Sequence, residues 1–149
     1  SAEKFIPMPA ALRAGYRCLN CDYTPPADPP LPFGGNCPTC GKRMTDGYNL
    51  GGYEWCVKNW GTKWGIYDAE LMERDTNQDP EDRGYLLFTF QTAWSPPNPI
   101  IIAMGKRFPA LCFDLTYWES GCAFQGKLLV QNGGLHDEWT GSYHGNRGG

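Results

Sequence analysis

Apolar and polar residues alternate from Tyr85 to Trp94, with Leu86, Phe88, Phe90 and Trp94 falling on one side. That period is the mark of a half-buried strand. Leu111 to Trp118 repeats it, with Leu111, Phe113, Leu115 and Tyr117 together, and so does Cys122 to Gln131, with Phe124, Leu128 and Val130. Lys63 to Met72 alternates too, but its phase slips near Tyr67-Asp68, which predicts a bulge. Two segments read as helices. Tyr53 to Trp60 is short and stopped by Gly61, a natural C-terminal cap. The second follows Ser95-Pro96-Pro97, with Asn98 as N-cap and Pro99 in the first turn, and ends before Pro109. Ile100, Ala103, Met104 and Phe108 are its expected buried face.

With a further short strand near residues 43–49, the order becomes β-α-β-β-α-β plus one added edge strand. This predicts an α+β, ferredoxin-like architecture, an antiparallel sheet carrying two helices on one face. The predicted divisions are an N-terminal arm and metal ribbon over residues 1–45, the ferredoxin-like domain over 46–132, and a flexible Gly-rich tail over 133–149.

The ribbon is read from Cys18, Cys21, Cys37 and Cys40, spaced C-x2-C-x15-C-x2-C. Two such pairs bring four thiolates to one point, the donor set of a closed, structural Zn2+ site. Iron held as in rubredoxin is the second reading, and a pair of disulfides the third. So small a ribbon has little core, and zinc would supply roughly 10–16 kcal/mol of its folding free energy. Between the pairs, Pro25, Pro26, Pro29, Pro30 and Pro32 predict a stiff exposed loop ending at Phe33. Cys56, Cys112 and Cys122 carry no nucleophile motif and are expected to be buried, inert thiols.

The 149 residues carry a net charge of -3, with 41% hydrophobic residues. The overall field does not favour nucleic acid or an anionic membrane. The longest apolar run, Ile100 to Met104, is far too short to span a bilayer. A metal site among scattered thiols fits a reducing cytoplasm. The sequence does not fix the oligomeric state.

Asp68 to Arg83 holds seven acidic and two basic residues, net -5. Within it Asp75, Asp79, Glu81 and Asp82 are candidate contacts for a basic groove on a partner protein. Pro29, Pro30 and Phe33 of the proline loop are the other candidate partner surface. A nucleic-acid-binding ribbon is the first alternative, resting on Arg13, Arg17, Lys42 and Arg43, and an enzyme on a ferredoxin-like scaffold is the remote one. His136 and His144 both lie in the Gly-rich tail, so no catalytic residue is assigned.

The stretch Asn59-Trp60-Gly61-Thr62-Lys63-Trp64 resembles a motif of the YubB ferredoxin-like domain family. Phe90 to Pro97, Phe108-Pro109 and Tyr117-Trp118-Glu119-Ser120-Gly121, with Phe124 and Gly126, agree with it. The resemblance spans roughly residues 46–130. It implies a phage or plasmid accessory protein at work inside a bacterial host, and no enzyme activity. The expectation is a non-enzymatic zinc-containing protein that binds and modulates a host protein, in host takeover or as an anti-defence inhibitor.

Overall fold

The computed structural model describes residues 1–26, 35–76 and 84–145. Its strands are β1 (Arg17–Cys18), β2 (Met44–Thr45), β3 (Tyr67–Arg74), β4 (Leu86–Gln91), β5 (Phe113–Glu119), β6 (Phe124–Gln131) and β7 (Gly134–Ser142), and its α-helices are α1 (Tyr53–Trp60) and α2 (Asn98–Arg107). Among the described residues all strand pairs are antiparallel, in three ladders: β1-β2, β3-β4 and β5-β6-β7. The class is α+β, as expected. Among the described residues no ladder joins β4 to β5, so the hairpin stands apart from the three-stranded sheet.

α2 organises the core because its two sides face different partners. Ile100 packs with Cys56 and Trp60 of α1 and with Ala2 and Met8 of the N-terminal segment. One residue on, Ile101 packs with Leu115, Leu128 and Val130 of the sheet. Gly105 lets the helix approach β6: a Cβ there would lie 2.2 Å from a methyl of Val130. The inner face of the sheet pairs Phe113 with Val130, Leu115 with Leu128 and Tyr117 with Gly126, the alternation read from the sequence.

Several expectations are corrected. The segment near Met44 is a strand, but it pairs with β1 in the ribbon and adds nothing to the domain's sheet. Residues 134–142 of the supposed loose tail form β7, hydrogen-bonded along β6. Strand β4 ends at Gln91, and Trp94 turns outward at φ 67°, 60% exposed. Asn98 begins α2 after Pro97 and makes no cap; its Oδ1 is buried with no hydrogen-bond partner among the described residues. Phe108 and Leu111 are exposed, whereas Ile101 is buried. Cys112 and Cys122 are exposed, so Cys56 alone of that trio is a buried thiol. The bulge is where the phase slip predicted it: the β3-β4 register shifts between Tyr67 and Glu70, with Asp68 at φ 47°.

Candidate metal centre

The two cysteine pairs fold into the same knuckle. In the first, the Cys18 N–H donates to the Tyr23 carbonyl at 2.8 Å, and Asp22 adopts φ 56° directly after Cys21. In the second, the Cys37 N–H donates to the Lys42 carbonyl at 2.7 Å, and Gly41 adopts φ 71° directly after Cys40. Each left-handed residue reverses the chain so that both thiols of its pair aim at one point. Glycine takes that conformation freely, and Asp is among the few others that tolerate it. The β1-β2 ladder sets Cys18 opposite Met44, and Asn36 bridges Arg43, so the knuckles are tied together by backbone. Cys18, Cys37 and Met44 are buried, with Tyr16 and Tyr23 packed against them.

The four thiol sulfurs lie within 4.8 Å of one another. Cys18 and Cys40 are 3.4 Å apart at Sγ, and Cys21 and Cys37 are 3.6 Å apart. A tetrahedron of Zn–S bonds near 2.3 Å requires S···S separations of about 3.8 Å, so these two contacts lie slightly inside the spacing of a tetrathiolate site. They are far too long for a disulfide, and all four thiols are free. The set fits a metal ion with no further open position.

The thiols do not ionise alike. Partial desolvation opposes the Cys37 thiolate, but N–H groups of Cys40 and Thr39 and the sulfurs of Cys21 and Cys18 outweigh it, and its pKa falls to about 6. The Thr39 N–H reaches Cys37 Sγ at 3.4 Å. A backbone hydrogen bond at Tyr23 favours the Cys21 thiolate, yet desolvation and the sulfurs of Cys40, Cys37 and Cys18 prevail and push it up to about 12. Cys40 is lowered, chiefly by the Lys42 backbone. Four clustered thiolates repel one another, so a cation is needed to bring the last into its charged form.

Residues 73–146 match the family described as the ferredoxin-like domain in Api92-like protein. The chain therefore carries a ferredoxin-like domain over just under half its length. The match includes Phe90 to Pro97, Phe108-Pro109 and Tyr117 to Gly121, and it takes in β7, beyond the predicted boundary at residue 132. It excludes the cysteine knuckles and the Asn59–Trp64 motif. No curated protein and no solved structure matches the chain.

The excluded motif has a structural task. Gly61 caps α1 at φ 79°, and the Asn59 side chain donates to the Trp55 carbonyl at 2.9 Å. Trp60 fills the core and donates from Nε1 to the Ile6 carbonyl at 2.8 Å. Trp64 does not follow it inward and is exposed.

Of the candidate partner residues, Asp75 is half-buried just past β3, its N–H donating to the Tyr85 carbonyl at 2.9 Å. Asp79, Glu81, Asp82, Pro29, Pro30 and Phe33 lie outside the described residues. Sequence reasoning missed Asp22 as a knuckle residue; its place directly after Cys-x-x-Cys, matching Gly41, was the available signal. No helix among the described residues is long and apolar enough to cross a membrane.

Proposed function

We propose that the four-cysteine site holds structural Zn2+ in a zinc ribbon, and that the chain is a YubB-like accessory protein of a phage or plasmid. In this reading it works without catalysis in the bacterial cytoplasm, binding and modulating a host protein in host takeover or as an inhibitor of defence. The observation that carries it is the acidic side of the β3-β4 hairpin. Glu70 and Glu73 lie on one face of that ladder, next to Asp75, and both strands are exposed along nearly their whole length. The connection between them carries Asp79, Glu81 and Asp82 in sequence. An exposed acidic projection is drawn to a basic groove on a partner, which speeds encounter and selects against acidic surfaces.

The test is a tagged pull-down from host lysate, with and without nuclease, read by mass spectrometry. The expected result is one stoichiometric protein that survives nuclease and is lost when Asp75, Asp79, Glu81 and Asp82 are replaced by Ser. Loss of every partner on nuclease treatment would overturn the reading in favour of a nucleic-acid-binding ribbon.

A further inference from the structure

We propose that the four-cysteine cluster is also a site of reversible oxidation by peroxide, in which each solvent-accessible thiol is sealed by the buried thiol of the opposite knuckle: Cys21 by Cys37, and Cys40 by Cys18. The four sulfurs are not equivalent. Cys18 and Cys37 are 0% and 2% exposed, whereas Cys21 is exposed and Cys40 half-buried. The knuckle explains the difference. The first cysteine of each pair sits at the strand end of its turn, Cys18 in β1 opposite Met44 and Cys37 beside the bridge of Asn36 to Arg43. The second sits at the tip, directly before the left-handed residue, Asp22 or Gly41.

Both short sulfur contacts run between the knuckles, and each joins one accessible sulfur to one buried sulfur. Cys21 meets Cys37 at 3.6 Å, and Cys40 meets Cys18 at 3.4 Å. An S–S bond is about 2.05 Å long, so each pair must close by about 1.5 Å, which rotation of the side chains can supply. Peroxide oxidises accessible thiols first, and a second thiol poised behind one of them converts the product to a disulfide before oxidation goes further. Among the described residues the exposed Cys112 and Cys122 have no such thiol behind them. Cys112 accepts a hydrogen bond from the Gln131 side chain at 3.3 Å, and Cys122 lies against Glu119.

The chemistry balances within each pair. The Cys21 sulfur, as thiolate, attacks one peroxide oxygen; the O–O bond breaks, hydroxide leaves and Cys21 becomes a sulfenic acid. The Cys37 thiolate then attacks the Cys21 sulfur, the S–O bond breaks and a second hydroxide leaves. The pair loses two electrons, the peroxide gains them, and solvent protons turn both hydroxides into water. Cys40 and Cys18 repeat the step with a second peroxide. The thiolate is the metal ligand, so its conversion to a disulfide releases a bound ion. Both new bonds join the knuckles, across sequence separations of 16 and 22. The oxidised ribbon thus keeps, by covalent ties, the closure that a metal ion gives the reduced one. A bond from Cys18 to Cys21, or from Cys37 to Cys40, would leave the knuckles untied. The pairing rests on the thiols alone; only the release of an ion rests on the zinc reading above.

Treatment of the full chain, as purified, with two molar equivalents of hydrogen peroxide tests it. Remaining thiols are blocked, the chain is cleaved ahead of Asp22 without reduction, and the peptides are read by tandem mass spectrometry. Bonds between the knuckles hold the two cysteine pairs together through that cleavage, and bonds within a pair let them separate. The expected result is Cys21 joined to Cys37 and Cys18 joined to Cys40, with all four thiols restored by dithiothreitol. The double variant Cys112→Ser, Cys122→Ser should lose the same four thiols and keep Cys56 as its one free thiol. Any other pairing, sulfinic acid at Cys21 or Cys40 in place of a disulfide, or four intact thiols after Cys112 and Cys122 have oxidised would each overturn the proposal. A chromogenic chelator follows zinc in parallel, and its release should keep step with disulfide formation. A chain purified without zinc that still forms both bonds would count against the zinc reading and support this one.

Discussion

Thr62 and Ala93 exchange two hydrogen bonds across the interior. The Thr62 hydroxyl donates to the Ala93 carbonyl at 2.9 Å and accepts the Ala93 N–H at 3.0 Å, and Thr62 is fully buried. One side chain thereby satisfies both backbone groups of a corner that no ladder reaches, and it ties the end of α1 to the entry of α2. Thr62→Val keeps the shape and removes both partners. It is expected to cost about 2–6 kcal/mol in chemical denaturation, because each of the two orphaned buried groups costs about 1–3 kcal/mol. Thr62→Ser should retain most of the stability.

The knuckles predict an asymmetry between their two left-handed residues. Gly41→Ala places a Cβ at φ 71° and should cost roughly 1–2 kcal/mol. Asp22→Gly removes the same penalty from the first knuckle and should be neutral or stabilising. Competition for the metal with a chromogenic chelator reads both: faster transfer from Gly41→Ala, unchanged or slower transfer from Asp22→Gly.

Metal loading should release protons, and acid should expel the metal. An ordinary thiol here has a pKa of 9.0; Cys37 is lowered to about 6 and Cys21 raised to about 12. At neutral pH the metal-free site therefore holds Cys37 mostly as thiolate and Cys21 as thiol, and a bound divalent ion must displace the Cys21 proton. For the depressed Cys37, stabilisation is complete above 9 and is lost as pH falls through about 6. For the raised Cys21 the sign reverses: the metal-free fold gains from its neutral thiol below 9 and loses that gain as pH rises through about 12. Calorimetry in buffers of different ionisation enthalpy should show proton release at neutral pH, and the apparent zinc affinity should fall more steeply with acidification below about 6 than above it, because Cys37 must then give up a proton as well. Proton release that stays the same on either side of that pH would contradict the thiolate assignment of Cys37.

The approach of α2 to β6 predicts a reversal of the usual helix rule. Alanine in place of a mid-helix glycine ordinarily gains up to about 1 kcal/mol. At Gly105 the new Cβ would meet Val130, which is fully buried, so Gly105→Ala should destabilise by about 1–3 kcal/mol. Val130→Ala in the same chain should recover part of that loss, and a double-mutant cycle by thermal melting measures the coupling.

What could be read in advance followed from where a local signal and a tertiary reason coincide. Cys18, Cys21, Cys37 and Cys40 announce their site because metal geometry leaves few spacings possible, and the structure brings those four together. Strands β5 and β6 were readable because one face of each is buried by α2. β7 was not, since its residues are exposed and mostly polar. It is a strand by virtue of its ladder with β6, and an exposed edge leaves no alternation to detect. Trp94 fitted the alternating pattern of β4, but the Thr62 bonds to Ala93 pull the chain out of extended form just before it. Met44 gave a correct strand with the wrong neighbour, because pairing partners are a long-range property that local pattern does not carry.

The N-terminal segment docks on the far side of the ribbon in sequence: Met8 lies before the cysteine knuckles, and its core neighbours Cys56 and Trp60 lie after them. The ribbon is thus enclosed in the loop that this docking closes. A bound ion would cross-link the middle of the loop and shorten the free chain to be ordered when Met8 finds its place. Halving a loop lowers its closure cost by only about 0.6 kcal/mol. The ion would nonetheless favour assembly of the α1-α2 core through chain entropy alone, without touching any residue in it.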